Sequence, residues 1–354
     1  MTDAGRKAFM PKDQIVIITE KLDPHADEMI MKLHELGYDS IRLNTDEIPV
    51  STIMNFKLNG THWEGYIKIL SSGREIDISS IRSIWWRRPN EFVFPTSFSQ
   101  QEKEFAKKEI NHAMAGLWEV LRDECYWVSY PTAIRQAGFK LGQLSRATKM
   151  GFDVPRTLIT TNPDEARAFY DACDGKIIFK VMSDPFLAMD RAEPITLDNL
   201  IAPPEIPKPR GTFTTLIGEK ELSALNSVHY VNCEFQEMIS KAIELRVTVI
   251  GDEVFASEIH SQAHEKTKMD WRHYDVEIPY RKATLPPNIA QRCLDFVRSY
   301  DLNYSAMDFI LTPDGRYVFL ENNPNGQFLF VQIQVPELKM LDALATCLIR
   351  GSNV

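Results

Sequence analysis

Cysteine is scarce in this chain: Cys125, Cys173, Cys233, Cys293 and Cys347 are the only five in 354 residues. An odd number at such separations excludes a disulfide framework. None stands at the close paired spacing of a zinc site, so they read as reduced thiols in a reducing compartment. Long apolar runs are lacking as well. Nothing approaches the roughly 20 residues of a membrane-spanning helix, and the first dozen residues have no apolar block of the signal-peptide kind. The expectation is a soluble cytoplasmic protein that does not act at a membrane, with Met1 to Lys12 a loose extension. Positive charge is in deficit: 40 Lys and Arg against 49 Asp and Glu give −9 and a pI of about 5.5, which argues against a nucleic-acid surface. Internal repeats and low-complexity tracts are also absent. What is present is ordinary for a globular enzyme, 44% hydrophobic and 25% charged, and the length suits two or three units with their own cores.

The pattern along the chain is mixed α/β. Gln14–Thr19 reads as a buried strand, a helix over Asp27–Leu36 stops at Gly37, and Ser40–Asn44 reads as the next strand, an opening β-α-β unit. Further strands are expected at Met54–Leu58, Gly65–Leu70 and Ile81–Pro89, the last ending in Trp86-Arg87-Arg88-Pro89, with a long helix over Glu102–Leu121. From about Pro131 a second unit begins, with helices over Phe139–Met150 and Asp164–Tyr170 and a strand over Lys176–Val181. A loop carrying prolines at 203, 204, 207 and 209 leads to a strand over Val228–Phe235. Glu244–Ile250 and Glu253–Glu258 then read as a hairpin around Gly251-Asp252. The expected units are 13–130, 131–235 and 236–354.

The densest chemistry lies near the C-terminus. Asp308 sits in Ala306–Leu311, Thr312-Pro313-Asp314-Gly315-Arg316 reads as a turn, and Tyr317–Glu321 reads as the returning strand. Pairing these strands brings Asp308 beside Glu321, and alternation places Asn323 on the same side as Glu321. Two carboxylates and an amide oxygen are hard ligands, suited to magnesium that also holds a nucleotide's phosphates. A hairpin with a polar rim is the plainer reading of any one of them; the spacing of all three favours the metal.

Other residues gain meaning from their order. Lys140 opens a helix and Lys180 closes an apolar strand, where its ammonium must find an anion or reach water. Each alone is a surface charge; together, beside a metal, they would clamp phosphates. The segment Glu234–Ile239 could give backbone groups to an adenine edge with Met238 over the ring, although Met and Ile are more often core. Glu244 and Arg246 share a strand face at spacing two, which fits a structural salt bridge as well as a site. Arg272, in the polar loop Asp270-Trp271-Arg272, could grip a phosphate bidentately.

This order of pieces resembles the ATP-grasp superfamily of carboxylate–amine ligases, from Gln14 to the C-terminus and most specifically from Pro131 onward. The resemblance implies an ATP-grasp fold preceded by an N-terminal α/β pre-ATP-grasp domain. It implies Lys140 and Lys180 on phosphates, Glu237 and Met238 as adenine hinge, and Glu244 near ribose. Arg272 would lie on phosphates, with Asp308, Glu321 and Asn323 on Mg2+, two ions in all. Trp86-Arg87-Arg88-Pro89, Phe235-Gln236-Glu237 with Glu244–Val247, Asp270-Trp271-Arg272 and Phe319–Gln327 resemble, more narrowly, the microviridin-type (graspetide) peptide maturases. Members of that family join Asp or Glu side chains of a ribosomal precursor peptide to Thr, Ser or Lys side chains of the same peptide. Two departures stand out: Met182-Ser183-Asp184-Pro185 follows Lys180 where many relatives have a glycine-rich loop, and Phe328 follows Gly-Gln where tryptophan is usual.

The resemblance implies ATP-driven formation of an acyl phosphate, displaced by the acceptor side chain, with Arg246 holding the activated carboxylate beside Lys180 and Arg272. His260 is the one candidate base, and a lone histidine after a strand is more often structural. A leader segment would dock in the irregular stretch from about Phe186 to Tyr230, where Glu219 and Glu221 could meet a basic leader residue or be a solvated turn. A homodimer is implied. The rivals are an ATP-grasp ligase that adds a free amino acid, needing no leader, and a non-catalytic ATP-binding module, which the full set of ligands and lysines argues against.

Overall fold

A computed structural model describes residues 12–183, 214–272 and 276–352. The proline-bearing stretch and most of the expected leader-docking region, together with Asp184-Pro185, fall outside these residues. No helix among the described residues is long and apolar enough to cross a membrane.

The N-terminal domain begins with β1 (Gln14–Thr19), α1 (Pro24–Glu35) and β2 (Ser40–Asn44). β3 (Thr52–Asn59), β4 (His62–Ile69) and β5 (Glu75–Asp77) follow, then β6 (Ile81–Trp86), α2 (Gln100–Leu121) and β7 (Tyr126–Val128). A parallel sheet of order β2-β1-β6-β7 forms its centre, with β3, β4 and β5 as an antiparallel flap. The Ile-rich β1 is buried on both faces, as a central parallel strand must be. Ser99 and Glu102 close α2 with a capping box, which starts the helix two residues before the expected Glu102.

Next come α3 (Pro131–Ala137), α4 (Lys140–Lys149), β8 (Thr157–Thr160), α5 (Pro163–Ala172) and β9 (Ile177–Lys180). β10 (Thr215–Leu216), α6 (Glu219–Ser223) and β11 (Cys233–Glu237) complete a small antiparallel sheet of order β10-β9-β11-β8. The expected strand from Val228 is shorter: Leu225–Tyr230 is a 3-10 turn. β12 (Ile243–Ile250), β13 (Glu253–Ile259), β14 (Tyr280–Lys282), α7 (Pro287–Arg298), β15 (Tyr304–Leu311) and β16 (Tyr317–Asn323) build the third unit, a sheet of order β14-β13-β12-β15-β16. α8 (Leu329–Gln334) and α9 (Met340–Arg350) end the described chain.

Cores cross the expected unit boundaries. Ala133, Ala137 and Ala147 of α3 and α4 pack with Val247, Phe296 and Phe319 beneath the third sheet, although the sequence places them at the head of the central unit. At the other end, Leu344 and Leu348 of α9 pack against Ile15, Ile17 and Trp85 of the first sheet. Gln143 fixes the first arrangement: its amide donates to the Asn322 carbonyl at 2.7 Å and accepts from the Asn322 amide at 2.9 Å. The start of α4 is thereby pinned to the strand that carries Glu321.

Candidate active site

The third sheet presents its polar face to a cleft. Along β12, Leu245, Val247 and Val249 point into the core while Glu244 and Arg246 point out, and Arg246 stands directly opposite Asp308 of β15. Asp308 in turn faces Glu321 of β16, the pairing expected from the hairpin. The ladder slips between Asp308 and Phe309, so that Phe309 pairs with Phe319 and Leu320 is the extra residue. This bulge resolves a conflict. Phe319 and Glu321 are two apart and would share a face of a regular strand, yet one is fully buried in the core and the other lines the cleft.

A cavity of about 690 Å³ lies between this sheet and the small central one, a size suited to a nucleotide. Pro155, Ile178, Met238, Ile239 and Leu320 line an apolar side; Lys140, Lys180, Arg272, Asp308, Glu321 and Asn323 gather on the polar side. Lys140 donates to the Val181 carbonyl at 2.7 Å and pairs with Glu234 at 3.3 Å and Glu321 at 3.6 Å. Lys180 is the cross-strand partner of Glu234. Desolvation pulls the Lys180 ammonium pKa down, against the charges of Glu321 and Glu234.

The two carboxylates differ in character. Burial pushes Asp308 up, helped by the charge of Glu321, although Arg246 grips both its oxygens at 2.9 and 3.0 Å. For Glu321 burial acts the same way but is overcome by Lys140, Lys180 and Arg272, which hold it below the usual range. The Asn323 amide lies 3.1 Å from Asp308 Oδ2 and 3.5 Å from Glu321 Oε1. Turning that amide by half a rotation offers its oxygen instead, an orientation set by hydrogen-bonding partners. Two carboxylates and one amide at these separations fit a small hard cation shared with phosphate oxygens.

The remaining expected residues are placed as follows. Arg272 forms a bidentate pair with Asp270 (2.8 and 2.7 Å). Burial alone would raise Asp270; the Arg272 bonds outweigh it and hold the carboxyl low. Glu244 lines the cavity but takes Lys241 at 2.9 Å rather than Arg246. Arg246 is 6% exposed and does not line the cavity: beyond Asp308 it donates to the Gln327 carbonyl at 3.0 Å. The Met238 amide donates to the Lys176 carbonyl, leaving Met238 its carbonyl and side chain for a base, and the Glu237 carboxylate is taken by Arg156. His260 bonds Glu258 at 3.0 Å and is not among the lining residues. Glu219 and Glu221 lie on α6 rather than a solvated turn, with Glu221 accepting from the Gly218 amide as a cap.

The side chains of Glu234 and Gln236 had no role in the sequence reading, which gave that segment only backbone groups for adenine. Both are buried on the cleft side of β11, alternating with core Phe235, and the Gln236 Oε1 has no partner although it lies at the cavity wall. Polar residues on either side of a buried phenylalanine were the available signal. Beside Arg246, Trp271 stacks on Phe330 (5.2 Å, 20°) and Tyr280 meets it edge-on, an aromatic wall no motif announced.

Residues 14–135 match the family described as the MvdD pre-ATP grasp domain. No curated protein matches the chain. Among solved structures, it resembles macrocyclase MdnC bound with precursor peptide MdnA from Microcystis aeruginosa MRC, at 26% identity over 96% of this chain and 100% of that one, TM-score 0.80. It also resembles a RiPP-associated ATP-grasp ligase of Chryseobacterium gregarium in complex with ADP and a leader and core peptide, at 26% identity over 96% and 97%, TM-score 0.83. Macrocyclase MdnB, from the same Microcystis, matches at 26% over 95% and 99%, TM-score 0.73. The chain has the fold of the ATP-grasp ligases and is similar along nearly its whole length to solved peptide macrocyclases, with a match to the pre-ATP-grasp domain in its N-terminal third.

Proposed function

We propose that the protein uses ATP to join Asp or Glu side chains of a ribosomal precursor peptide to Thr, Ser or Lys side chains of the same peptide, forming ω-ester or ω-amide macrocycles. The observation that carries this is the charge layout of the cleft. Lys140, Lys180 and Arg272 gather around Glu321 beside an apolar slot, as a triphosphate and its base require. Its relatives supply the substrate class, since MdnC was solved with a precursor peptide and the Chryseobacterium ligase with ADP, leader and core.

In this reading the base lies among Ile178, Met238, Ile239 and Leu320, with the free Gln236 Oε1 and the Glu237 and Met238 carbonyls as acceptors for its amino group. Glu244 reaches the ribose, for which it exchanges or shares Lys241. Lys140, Lys180 and Arg272 hold the phosphates. Asp308, Glu321 and Asn323 would hold Mg2+, two ions in all, which when bound neutralise the charge on the phosphates. A substrate carboxylate oxygen attacks the γ-phosphorus and ADP leaves. The acceptor oxygen or nitrogen then attacks the acyl carbon, phosphate leaves, and the acceptor loses its proton. Arg246, bonded to the cavity-lining Asp308, holds the activated carboxylate. The aromatic wall of Trp271 and Phe330 shields it from water, which would otherwise hydrolyse the acyl phosphate.

The leader docks away from the chemistry and raises the effective concentration of the core; Glu219 and Glu221 on α6 are the candidate contacts for a basic leader residue. We place the enzyme in the cytoplasm as a homodimer. The intact mass of the co-expressed precursor tests the function: loss of about 18 Da per ring with nothing added supports it, as expected when phosphate leaves from an acyl intermediate. A gain of one amino-acid residue mass would instead establish a ligase for free amino acids, and an unchanged peptide with ATP bound a non-catalytic module.

A further inference from the structure

Arg88 pairs with Glu20 at the surface, but its neighbour Arg87 turns inward. Arg87 belongs to the N-terminal domain and is 3% exposed. Its Nη1 donates to the Asn325 carbonyl at 3.1 Å, the Asn325 amide donates back to the Arg87 carbonyl, and its Nε lies 3.6 Å from Asp23, itself 2% exposed. The next residues of that turn are gripped in succession. The Gly326 carbonyl accepts from the Tyr304 hydroxyl at 2.6 Å, and the Gln327 carbonyl from Arg246. The Phe328 and Leu329 amides both donate to His25 Nε2 at 3.2 Å. Asn325 therefore sits two residues after Asn323 and two before the carbonyl that orients Arg246. There is no slack at the centre: a Cβ on Gly326 would lie 2.8 Å from Arg246 Nη2 and from Ala306 Cβ. A buried guanidinium with Nε and Nη2 lacking hydrogen bonds is costly, and plain domain adhesion could be achieved by apolar packing.

We infer that Arg87 is a positioning residue: through the Asn325–Gln327 turn, the N-terminal domain sets Arg246, and with it Asp308 and Asn323, in the geometry the ligase reaction needs. This rests on the function proposed above. The nucleotide cavity is not lined by Arg87 or by this turn beyond Pro324, so nucleotide affinity and turnover should separate.

The test uses the full chain with Arg87→Ala and Arg87→Lys, reading ADP affinity, peptide-dependent ADP release and ring formation by mass. Positioning predicts ADP affinity within about twofold of the parent and turnover lower by roughly tenfold to a hundredfold, the scale of a small misplacement at a reacting centre. It also predicts partial recovery of Arg87→Ala by millimolar guanidinium and of Arg87→Lys by its own ammonium. Turnover of Arg87→Ala within threefold of the parent would overturn the inference. So would a parallel loss of ADP affinity, melting temperature and turnover in both variants, which marks a structural strut. A parent enzyme that releases ADP with peptide but closes no ring would count against the proposed function, while the Arg87 comparison is still read on ADP release.

Discussion

The two sheets that enclose the cleft are built to different standards. The third sheet has strands of seven and eight residues, apart from its short edge strand β14, and stands on Phe152, Phe296, Phe309 and Phe319, whose ring centroids lie 5.2 to 6.1 Å apart. The central sheet has strands of two to five residues over a cluster centred on Phe235, Ile177 and Val228. The first presents carboxylates, the second a lysine and its counter-ion Glu234. Carboxylates that must share a cation need fixed separations, which a deep core supplies; a lysine clamping a flexible triphosphate tolerates a thinner support. The difference in depth between the two sheets matches the chemistry proposed for each side of the cleft.

The sharpest way to break this comparison is Glu321→Gln. It removes a charge from the rigid side without changing shape, and turnover should fall by roughly a thousandfold or more, as loss of a central electrostatic group does. The melting temperature should hold; retained turnover would show that the third sheet does not carry the chemistry. Next in size is a paired truncation. Phe319→Ala should destabilise the protein by about 3–5 kcal/mol, and Phe235→Ala should fall at or below the lower end of that range, measured by denaturant unfolding. Equal losses would erase the proposed difference in depth. Lys180→Ala should weaken ATP binding about tenfold to a hundredfold, the worth of one or two charge-assisted bonds, while the unfolding midpoint stays near the parent's. A calorimetric Kd within twofold would remove Lys180 from the clamp.

The smallest expected effect concerns pH. His25, between Arg87 and the backbone of Phe328 and Leu329, is pulled down to about 3 by burial and by the Arg87 charge. Unfolded, it takes a proton near its ordinary value of 6.5, while folded it stays neutral, so the unfolded state binds more protons. Stability from this group is full above pH 6.5 and is lost as pH falls toward 3, about 1–2 kcal/mol by pH 5.5. The pH slope of unfolding should flatten in His25→Gln; an unchanged slope would assign it to the carboxylates.

Much of this was legible in the chain. The turn Thr312–Arg316 and its flanking strands brought Asp308 close to Glu321, because a short turn between two apolar runs leaves few ways to pair them. The turn's own register sets Asp308 opposite Leu320, and the bulge is what moves Glu321 across from it. Strand alternation likewise placed Glu244 and Arg246 on one face. The partners of those residues were not legible. Lys241 on Glu244 and Asp308 on Arg246 depend on which strands and loops lie alongside, and local spacing carries no record of that. Glu234 was hidden for the same reason, since its worth comes from Lys140 on a helix ninety-four residues earlier.

By itself, then, the sequence determined what is periodic or contiguous: the β-α-β opening, the hairpin that carries Asp308 and Glu321, the lysine that ends β9, and the order of pieces that resembles a ligase. Only the tertiary structure decided the bulge at Leu320, the packing of α3 and α4 beneath the third sheet, and the inward turn of Arg87 onto Asn325. Periodicity encodes which face of an element is apolar, but a slipped ladder or a buried charge is settled by close packing and by the need of every buried polar group for a partner. Both are properties of neighbours far apart in the chain.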